Sequence, residues 1–274
     1  MRVEHLHVAA AAGAPMEARD AVEVAAGVGV AGDRYAAGAG FWRDARVSRD
    51  LTLIEGEVAD EVGLVPGEAR RNLTTRGVAL NDLVGRPVWV GDVLIRGTCL
   101  CEPCLHLEEV TRKTLLRALV HRGGLRSDVL LGGTIRVGDP VEPVDEQQGV
   151  GVLVVRGGRV LLGRRLSEHG HGTWSCPGGK PADGESAIEC AVRELREETG
   201  LAAPGGRVVA ETLDGFPESR LVYRTRFVVV DADGEPEAHE PDKTEEWSWF
   251  AWDDLPEPLF RPVASFVASG VGQR

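Results

Sequence analysis

Residues Gly179 to Leu201, GKPADGESAIECAVRELREETGL, constrain this chain more than any other stretch. They read as G-x5-E-x7-R-E-U-x-E-E-x-G-U, with U aliphatic, and every fixed position is filled. Ser186 to Thr199 is predicted to be one helix, entered through a Gly184-Glu185-Ser186 turn and closed by Gly200, a residue type suited to the left-handed conformation at a helix end. Glu194, Glu197 and Glu198 then stand at i, i+3 and i+4, so one face carries three carboxylates. Ala187, Ile188, Ala191, Val192 and Leu195 supply the apolar surface that packs on a sheet. Like charges at this spacing repel. A hard divalent cation reverses that sign, because it takes oxygen ligands and bridges carboxylate to phosphate. A glutamate-rich helix face is ordinarily just a solvated face; the complete pattern argues against that here.

Ahead of the helix stands WSCPGG, Trp174 to Gly179, whose consecutive glycines let the backbone approach a ligand closely. Gly149 to Arg165 reads as two strands around an Arg-Gly-Gly-Arg turn. Leu221 to Val230 and Trp247 to Ala251 give further strands, and Pro258 to Ser269 a closing helix. With the glutamate box, these segments resemble the Nudix hydrolases, and GTWSCPGG and EPDKTEEWSWFAWDDLPEPLF resemble those of the MutT type. The resemblance implies an α/β/α sandwich with a mixed sheet, and Mg2+- or Mn2+-dependent attack of water on a nucleoside diphosphate linked to a further group. It implies Gly178 (through its carbonyl), Glu194, Glu197 and Glu198 as metal ligands, Arg193 as the residue that orients them, and Glu185 as their support. Glu198 is the first candidate for the proton acceptor, with Glu245 or Glu246 in reserve. The substrate implied is a nucleoside triphosphate, ordinary or modified, cleaved to the monophosphate and pyrophosphate. Trp174, Trp247, Trp249 and Trp252 either fill the core or, for one of them, stack on a base.

The Nudix-like part needs only residues 149–274. A polar, proline-bearing run, Pro143 to Gln148, places a linker at 144–148 and a first domain at 1–143. That first domain reads as short strands at Leu51 to Ile54, Pro87 to Val90, Val93 to Arg96 and Thr134 to Val137, with helical segments at Glu55 to Val62 and Leu107 to Val120. The expected architecture is a mainly-β barrel with peripheral helices. GVAGDR (Gly29 to Arg34), LTLIEGE, ARRNLTTRGVALNDLVG, CEPC (Cys101 to Cys104) and GGTIRVGD, in that order, resemble the MOSC domain, named after the C-terminal part of molybdenum-cofactor sulfurase. The resemblance implies molybdenum-cofactor binding or sulfur handling through Cys104, with Asp33, Arg34, Arg71 and Asn72 around it. Tyr35 stands where many members have histidine. A thiolate is a good soft ligand for molybdenum and a competent sulfur acceptor, and a protein donating electrons or sulfur is the partner this would need. Cys99, Cys101, Cys104 and His106 also leave open a zinc site, and Cys101 with Cys104 a redox pair.

Five cysteines, an odd number, do not make a disulfide framework. The first twenty residues show no basic leader with a sufficient apolar run, and no stretch reaches membrane-spanning length. A cytoplasmic protein with no membrane partner is expected. The net charge of -12 argues against affinity for duplex nucleic acid or anionic membranes. Beside the pyrophosphohydrolase reading stand two others: a molybdenum-dependent oxidoreductase or sulfur-transfer protein whose Nudix half acts on pterin dinucleotides, and a ligand sensor, which the full set of glutamates disfavours.

Overall fold

The computed structural model describes residues 1–41 and 49–270, so the last four residues of the expected second domain lie outside the described ones. The chain divides into two units, Met1–Asp145 with Gly215–Leu221, and Glu146–Asp214 with Val222–Arg274.

The first unit is built from β1 (Arg2–Val8), β2 (Glu17–Arg19), β3 (Ala21–Ala25), β4 (Gly29–Val30), β5 (Leu51–Glu55), α1 (Gly56–Glu61), β6 (Leu73–Arg76), β7 (Pro87–Val90), β8 (Val93–Leu100), α2 (Leu105–Thr111), β9 (Leu125–Leu131), β10 (Gly133–Arg136) and β11 (Val141–Pro143). Eight strands form one sheet in the order β11-β7-β8-β9-β5-β6-β1-β2, and β10-β3-β4 form a second. The segment after β10 returns to β1: the Val3 amide donates to Asp139 O at 2.9 Å and the Val141 amide to Met1 O at 3.2 Å, which curls the large sheet into a barrel. Valine, leucine and isoleucine fill its interior, among them Leu51, Leu53, Leu73, Val88 and Ile95. Helices α1 and α2 sit peripherally over a separate cluster that includes Ile54, Val58, Leu107 and Leu115. The helix expected over Leu107 to Val120 begins earlier and stops at Thr111. Arg112 there takes a left-handed conformation, φ 55°, and the Glu108 carboxylate accepts the Leu115 and Leu116 amides at 2.6 and 2.8 Å in place of another helical turn.

The second unit contains β12 (Glu146–Arg156), β13 (Arg159–Arg165), β14 (Trp174–Ser175), β15 (Gly178–Gly179), α3 (Ala187–Thr199), β16 (Gly206–Phe216), β17 (Leu221–Val230), β18 (Thr244–Ala251) and α4 (Arg261–Ala268). Its sheet is mixed. β12 runs parallel to β17 and antiparallel to β13 and β15, and β13 runs antiparallel to β14 and β18. Glu146, Gln147 and Gln148, read from the sequence as linker, pair with Val222, Tyr223 and Arg224. Side chains of a strand alternate between faces, and β12 uses both. Val150, Val152 and Val154 pack with Cys190, Ala191 and Leu195 of α3, while Leu153 packs with Val263 and Phe266 of α4. The result is a helix–sheet–helix sandwich whose sheet fixes the inner face of α3 and leaves Glu194 and Glu197 on its outer side. Each fully buried aliphatic side chain in these layers contributes about 1.5–3 kcal/mol.

The start of α3 is set by a reciprocal cap: Ser186 Oγ accepts the Glu189 amide at 3.2 Å, and Glu189 Oε2 accepts the Ser186 amide at 2.9 Å. Ser186→Ala should therefore lower the stability of the C-terminal unit by about 1 kcal/mol in urea unfolding, with Ser186→Asp recovering most of it. An unchanged midpoint for the alanine variant would show that the cap contributes nothing.

Candidate active site

On the outer face of α3 the organising group is the Arg193 guanidinium. Its Nε and Nη2 donate to the two Glu185 oxygens, both at 2.8 Å, as a bidentate pair. Nη1 donates to Glu194 Oε1 at 2.7 Å and Glu197 Oε2 at 3.1 Å, and Nη2 also reaches the Lys180 carbonyl at 3.2 Å. One cation thus gathers three of the box glutamates. The hydrogen bond from Arg193, helped by the Ala182 amide, holds Glu185 down to about 2; the Glu185 and Glu194 carboxylates in turn push Arg193 well above its ordinary value.

Glu198 is placed differently. It points inward, and its Oε2 accepts the Gly178 amide at 3.0 Å. Burial pushes it up to about 7; the Gly178 amide opposes that shift, and the charges of Glu194 and Glu240 add to it. Gly178 and Gly179 let β15 come this close. A Cβ on Gly178 would collide with the Val150 carbonyl, and one on Gly179 with the Glu194 carboxylate. The far end of α3 is tied down by the Trp247 indole, which donates to Glu198 O at 3.3 Å, and by the His239 amide, which donates to the same oxygen at 3.1 Å.

Glu194, Glu197 and Glu198 and the Gly178 carbonyl form an all-oxygen donor set. A buried carboxylate next to further carboxylates is a charge arrangement that a hard divalent cation relieves, so the residues fit such an ion. As the side chains stand, no three acidic, histidine or cysteine groups converge on one point among the described residues; Arg193 holds Glu194 and Glu197, and the Gly178 amide holds Glu198. Of the two reserve carboxylates, Glu245 bonds Arg164 at 3.1 Å on the surface and Glu246 is exposed. Both stand in β18; the carboxylate acting on Glu198 is Glu240, ahead of that strand and itself bonded to Lys243 at 2.7 Å. All four tryptophans in question pack against the two cores, Trp247 and Trp249 on the α3 side, Trp174 and Trp252 on the α4 side.

In the first unit the GDR and ARRN motifs meet. Asp33 Oδ2 accepts from Arg34 Nη1 at 2.9 Å, Asn72 Nδ2 at 3.1 Å and the Ala9 amide at 3.2 Å. Asn72 Oδ1 accepts the Thr52 hydroxyl at 2.9 Å. Arg34 Nη2 donates to the Arg70 carbonyl at 3.1 Å, and Arg71 donates to the Gly123 and Ala69 carbonyls at 3.0 and 2.9 Å. Asp33 and Asn72 thus serve as buried braces. Beside them lies a cleft lined by Arg34, Arg70, Arg71, Arg126, Cys104 and His106. Arg70 was not singled out by the sequence, although it adjoins Arg71. It is 9 % exposed, its Nη1 donates to Ala14 O at 2.9 Å, and its Nη2 has no partner among the described residues. Burial and the neighbouring Arg34 push it down. Such a guanidinium is suited to an oxyanion. Cys101 is buried and Cys104 half-buried at the start of α2, and all five cysteines are free thiols. Among the described residues Cys99, Cys101, Cys104 and His106 do not gather into a metal cluster.

Comparison with known proteins agrees with both halves. The NUDIX domain profile matches residues 145–269 and the MOSC domain profile residues 47–142. An RNA pyrophosphohydrolase of Novosphingobium aromaticivorans is 35% identical over 127 residues, covering 39% of this chain and 79% of that protein. The NAD-capped RNA hydrolase NudC of Pseudomonas entomophila is 36% identical over 117 residues, covering 42% of this chain and 41% of that protein. A solved MutT NUDIX hydrolase from Burkholderia pseudomallei is 30% identical and covers 46% of this chain and 98% of its own, with a TM-score of 0.44.

Glu198 gives a pH signature. Its carboxyl is raised from 4.5 to about 7, so the folded, metal-free chain holds that proton more tightly than the unfolded chain. Its contribution to stability is complete below 4.5 and is lost as pH rises through 7, by about 3 kcal/mol. Chemical unfolding of metal-free protein between pH 4.5 and 8 should show this fall, and Glu198→Gln should flatten it. Equal slopes in the two proteins would contradict the burial of this carboxyl.

Proposed function

Because the chain belongs to the NUDIX family through its C-terminal half, and so is a pyrophosphohydrolase, with a MOSC domain ahead of it, we propose that it cleaves a nucleoside triphosphate, ordinary or modified, to the monophosphate and pyrophosphate. The observation that carries the reading is the Arg193 bracket on Glu185, Glu194 and Glu197 beside the buried Glu198. The flanks GTWSCPGG and EPDKTEEWSWFAWDDLPEPLF support the choice of a triphosphate. Gly178 (by its carbonyl), Glu194, Glu197 and Glu198 would hold Mg2+ or Mn2+, since hard cations take oxygen donors. When bound, such a cation supplies positive charge to the diphosphate and Lewis acidity toward water.

The chain's own residues do the rest. Glu198, set against the Gly178 amide, accepts the proton of the attacking water. Glu185 anchors Arg193 from the loop before α3, so the guanidinium cannot swing away when the glutamates it touches engage a cation. The Gly178 amide fixes which Glu198 oxygen faces the sheet. A 5′-triphosphorylated or NAD-capped RNA end is the second reading; the names of the relatives above favour it, and it offers the same diphosphate chemistry.

For the N-terminal half we propose that the arginine-lined cleft beside Cys104 binds molybdenum cofactor or a sulfur-bearing group. The Cys104 thiolate would be the soft ligand, and Arg70 and Arg71 would meet an oxyanion. Its partner would be a protein donating electrons or sulfur. Five free thiols suit a reducing, cytoplasmic setting, and residues 144–148 are taken as the boundary between the two activities.

Purified protein with Mg2+ and a panel of nucleoside triphosphates should release pyrophosphate. Turnover should fall by about 10²–10⁴-fold in Glu198→Gln and vanish with chelator. No release from any triphosphate, with turnover on triphosphorylated or NAD-capped RNA, would transfer the assignment to RNA ends; no turnover on either would end it. Separately, protein from cofactor-producing cells should carry molybdenum that Cys104→Ser loses. Equal molybdenum content in the two would remove Cys104 from the proposal.

A further inference from the structure

The cleft of the first unit carries an uneven charge. Five arginines line it, Arg34, Arg49, Arg70, Arg71 and Arg126, against one carboxylate, Glu102. That carboxylate is already engaged, since its oxygens accept the His121 amide at 3.1 Å and meet His121 Nδ1 at 2.9 Å. Among the arginines, Arg34 is answered by Asp33 at 2.9 Å. Arg70, only 9 % exposed, keeps an Nη2 without a partner among the described residues. Burying a guanidinium in that condition is costly unless an oxyanion meets it.

The chain brings the cysteine loop to these arginines. Arg71 Nε donates to Gly123 O at 3.0 Å, and the carbonyl of the next residue, Gly124, accepts the Cys101 amide at 2.7 Å. The approach is close: a Cβ on Gly123 would lie 2.0 Å from the Cys101 carbonyl oxygen. Ala69, beside Arg70 in the chain, shares an apolar cluster with Leu107 of α2, and Cys104 packs against that cluster. Cys101 and Cys104 both line the cleft. Cys101 is buried and Cys104 half-buried, so Cys104 is the thiol of the pair that a solute in the cleft can reach. A thiolate repels a dianion, and an excess of guanidinium is what allows the two to meet.

We infer that the cleft takes a sulfane-sulfur oxyanion, of which thiosulfate is the simplest, and transfers its outer sulfur to Cys104. This deepens the sulfur-handling reading of the cleft above and rests on it. The Cys104 thiolate attacks the outer sulfur. The bond between that sulfur and the sulfonate sulfur breaks, and its electron pair leaves on sulfite. A thiolate and a thiosulfate dianion thus become a persulfide anion and a sulfite dianion, with no further reactant. Arg70 Nη2 donates to the sulfonate oxygens of the incoming and the departing anion. An acceptor thiol, or cyanide, then removes the sulfur and restores the thiolate.

The test incubates the reduced full chain with thiosulfate alone, and with thiosulfate and cyanide. Mass spectrometry should find one added sulfur on Cys104 in the first case; sulfite and thiocyanate should appear in equal amounts in the second. Cys104→Ser should abolish both. Arg70→Gln should raise KM for thiosulfate on the order of 10-fold, while iodoacetamide, a neutral reagent, still alkylates its Cys104 at the wild-type rate. Arg126→Gln serves in its place should Arg70→Gln fail to fold. Turnover unchanged in Cys104→Ser, or a wild-type KM in the folded arginine variant, would overturn the inference. So would a wild-type protein inert to thiosulfate whose Cys104 is still persulfidated by inorganic polysulfide, a result that leaves the sulfur-handling reading standing. A Cys104 that takes sulfur from neither reagent would bring down that reading, and this inference with it.

Discussion

Three carboxylates on adjacent turns of one helix repel one another, and the C-terminal unit is arranged around how Arg193 answers that repulsion. The arginine is itself one of the helix residues, so it cannot be held in place by the glutamates it gathers. Glu185 provides the hold from the loop that precedes the helix. Part of the structure therefore follows from a charge balance: the loop before α3 must come back to the helix at a set height, and the Ser186–Glu189 cap fixes that height by fixing the first helical turn. On the other side, the packing of Cys190, Ala191 and Leu195 against β12 prevents the helix from rotating to relieve its acidic face. The repulsion remains concentrated where a divalent cation can neutralise it.

Glu198 stands outside that balance. Arg193 reaches Glu194 and Glu197 at the helix surface, whereas Glu198 turns toward β15 and finds a backbone amide in place of a cation. A neutral donor offsets less of the cost of burying a carboxylate than a guanidinium would. Two neighbouring residues of the same helix, Glu197 and Glu198, thus occupy opposite situations, one exposed and ion-paired, one half-buried and bonded to an amide. In the mechanism proposed above, that difference would separate a holding role from a proton-accepting one.

Much of this was legible in the sequence because it is local. The helix, its closing glycine and the sharing of one face by Glu194, Glu197 and Glu198 follow from spacing alone, and the glycine pair follows from the need for close backbone approach. The β12 strand was harder. Its first three residues look like linker because Glu-Gln-Gln is polar, yet they pair with β17, a partner 76 residues away whose presence no local signal announces. The helix after Cys104 failed for the converse reason. Its apolar spacing continues past Thr111, but the Glu108 carboxylate captures the Leu115 and Leu116 amides and ends the regular ladder. The N-terminal motifs were found in order, but sequence could not assign their labour. Asp33 and Asn72 brace each other in the interior, while the arginine with an unmet donor is Arg70, one residue away from the one singled out.

Arg70 and Arg165 make the same physical point in two different units. Most arginines given a partner here find a carboxylate, as Arg76, Arg96, Arg122, Arg193 and Arg224 do. These two are tied down by backbone carbonyls and, among the described residues, make no direct ion pair to a carboxylate. Carbonyl acceptors orient a guanidinium without cancelling its charge, which is a poor choice for stability alone and a good one for receiving an anion. In a chain with a net charge of -12, repulsion of anionic ligands at long range is the rule, and binding must come from short-range, preoriented cations. Nothing in a single sequence separates such an arginine from one that is ion-paired, since both read as Arg beside a strand or a turn; the distinction lies in which acceptor the fold brings to the guanidinium.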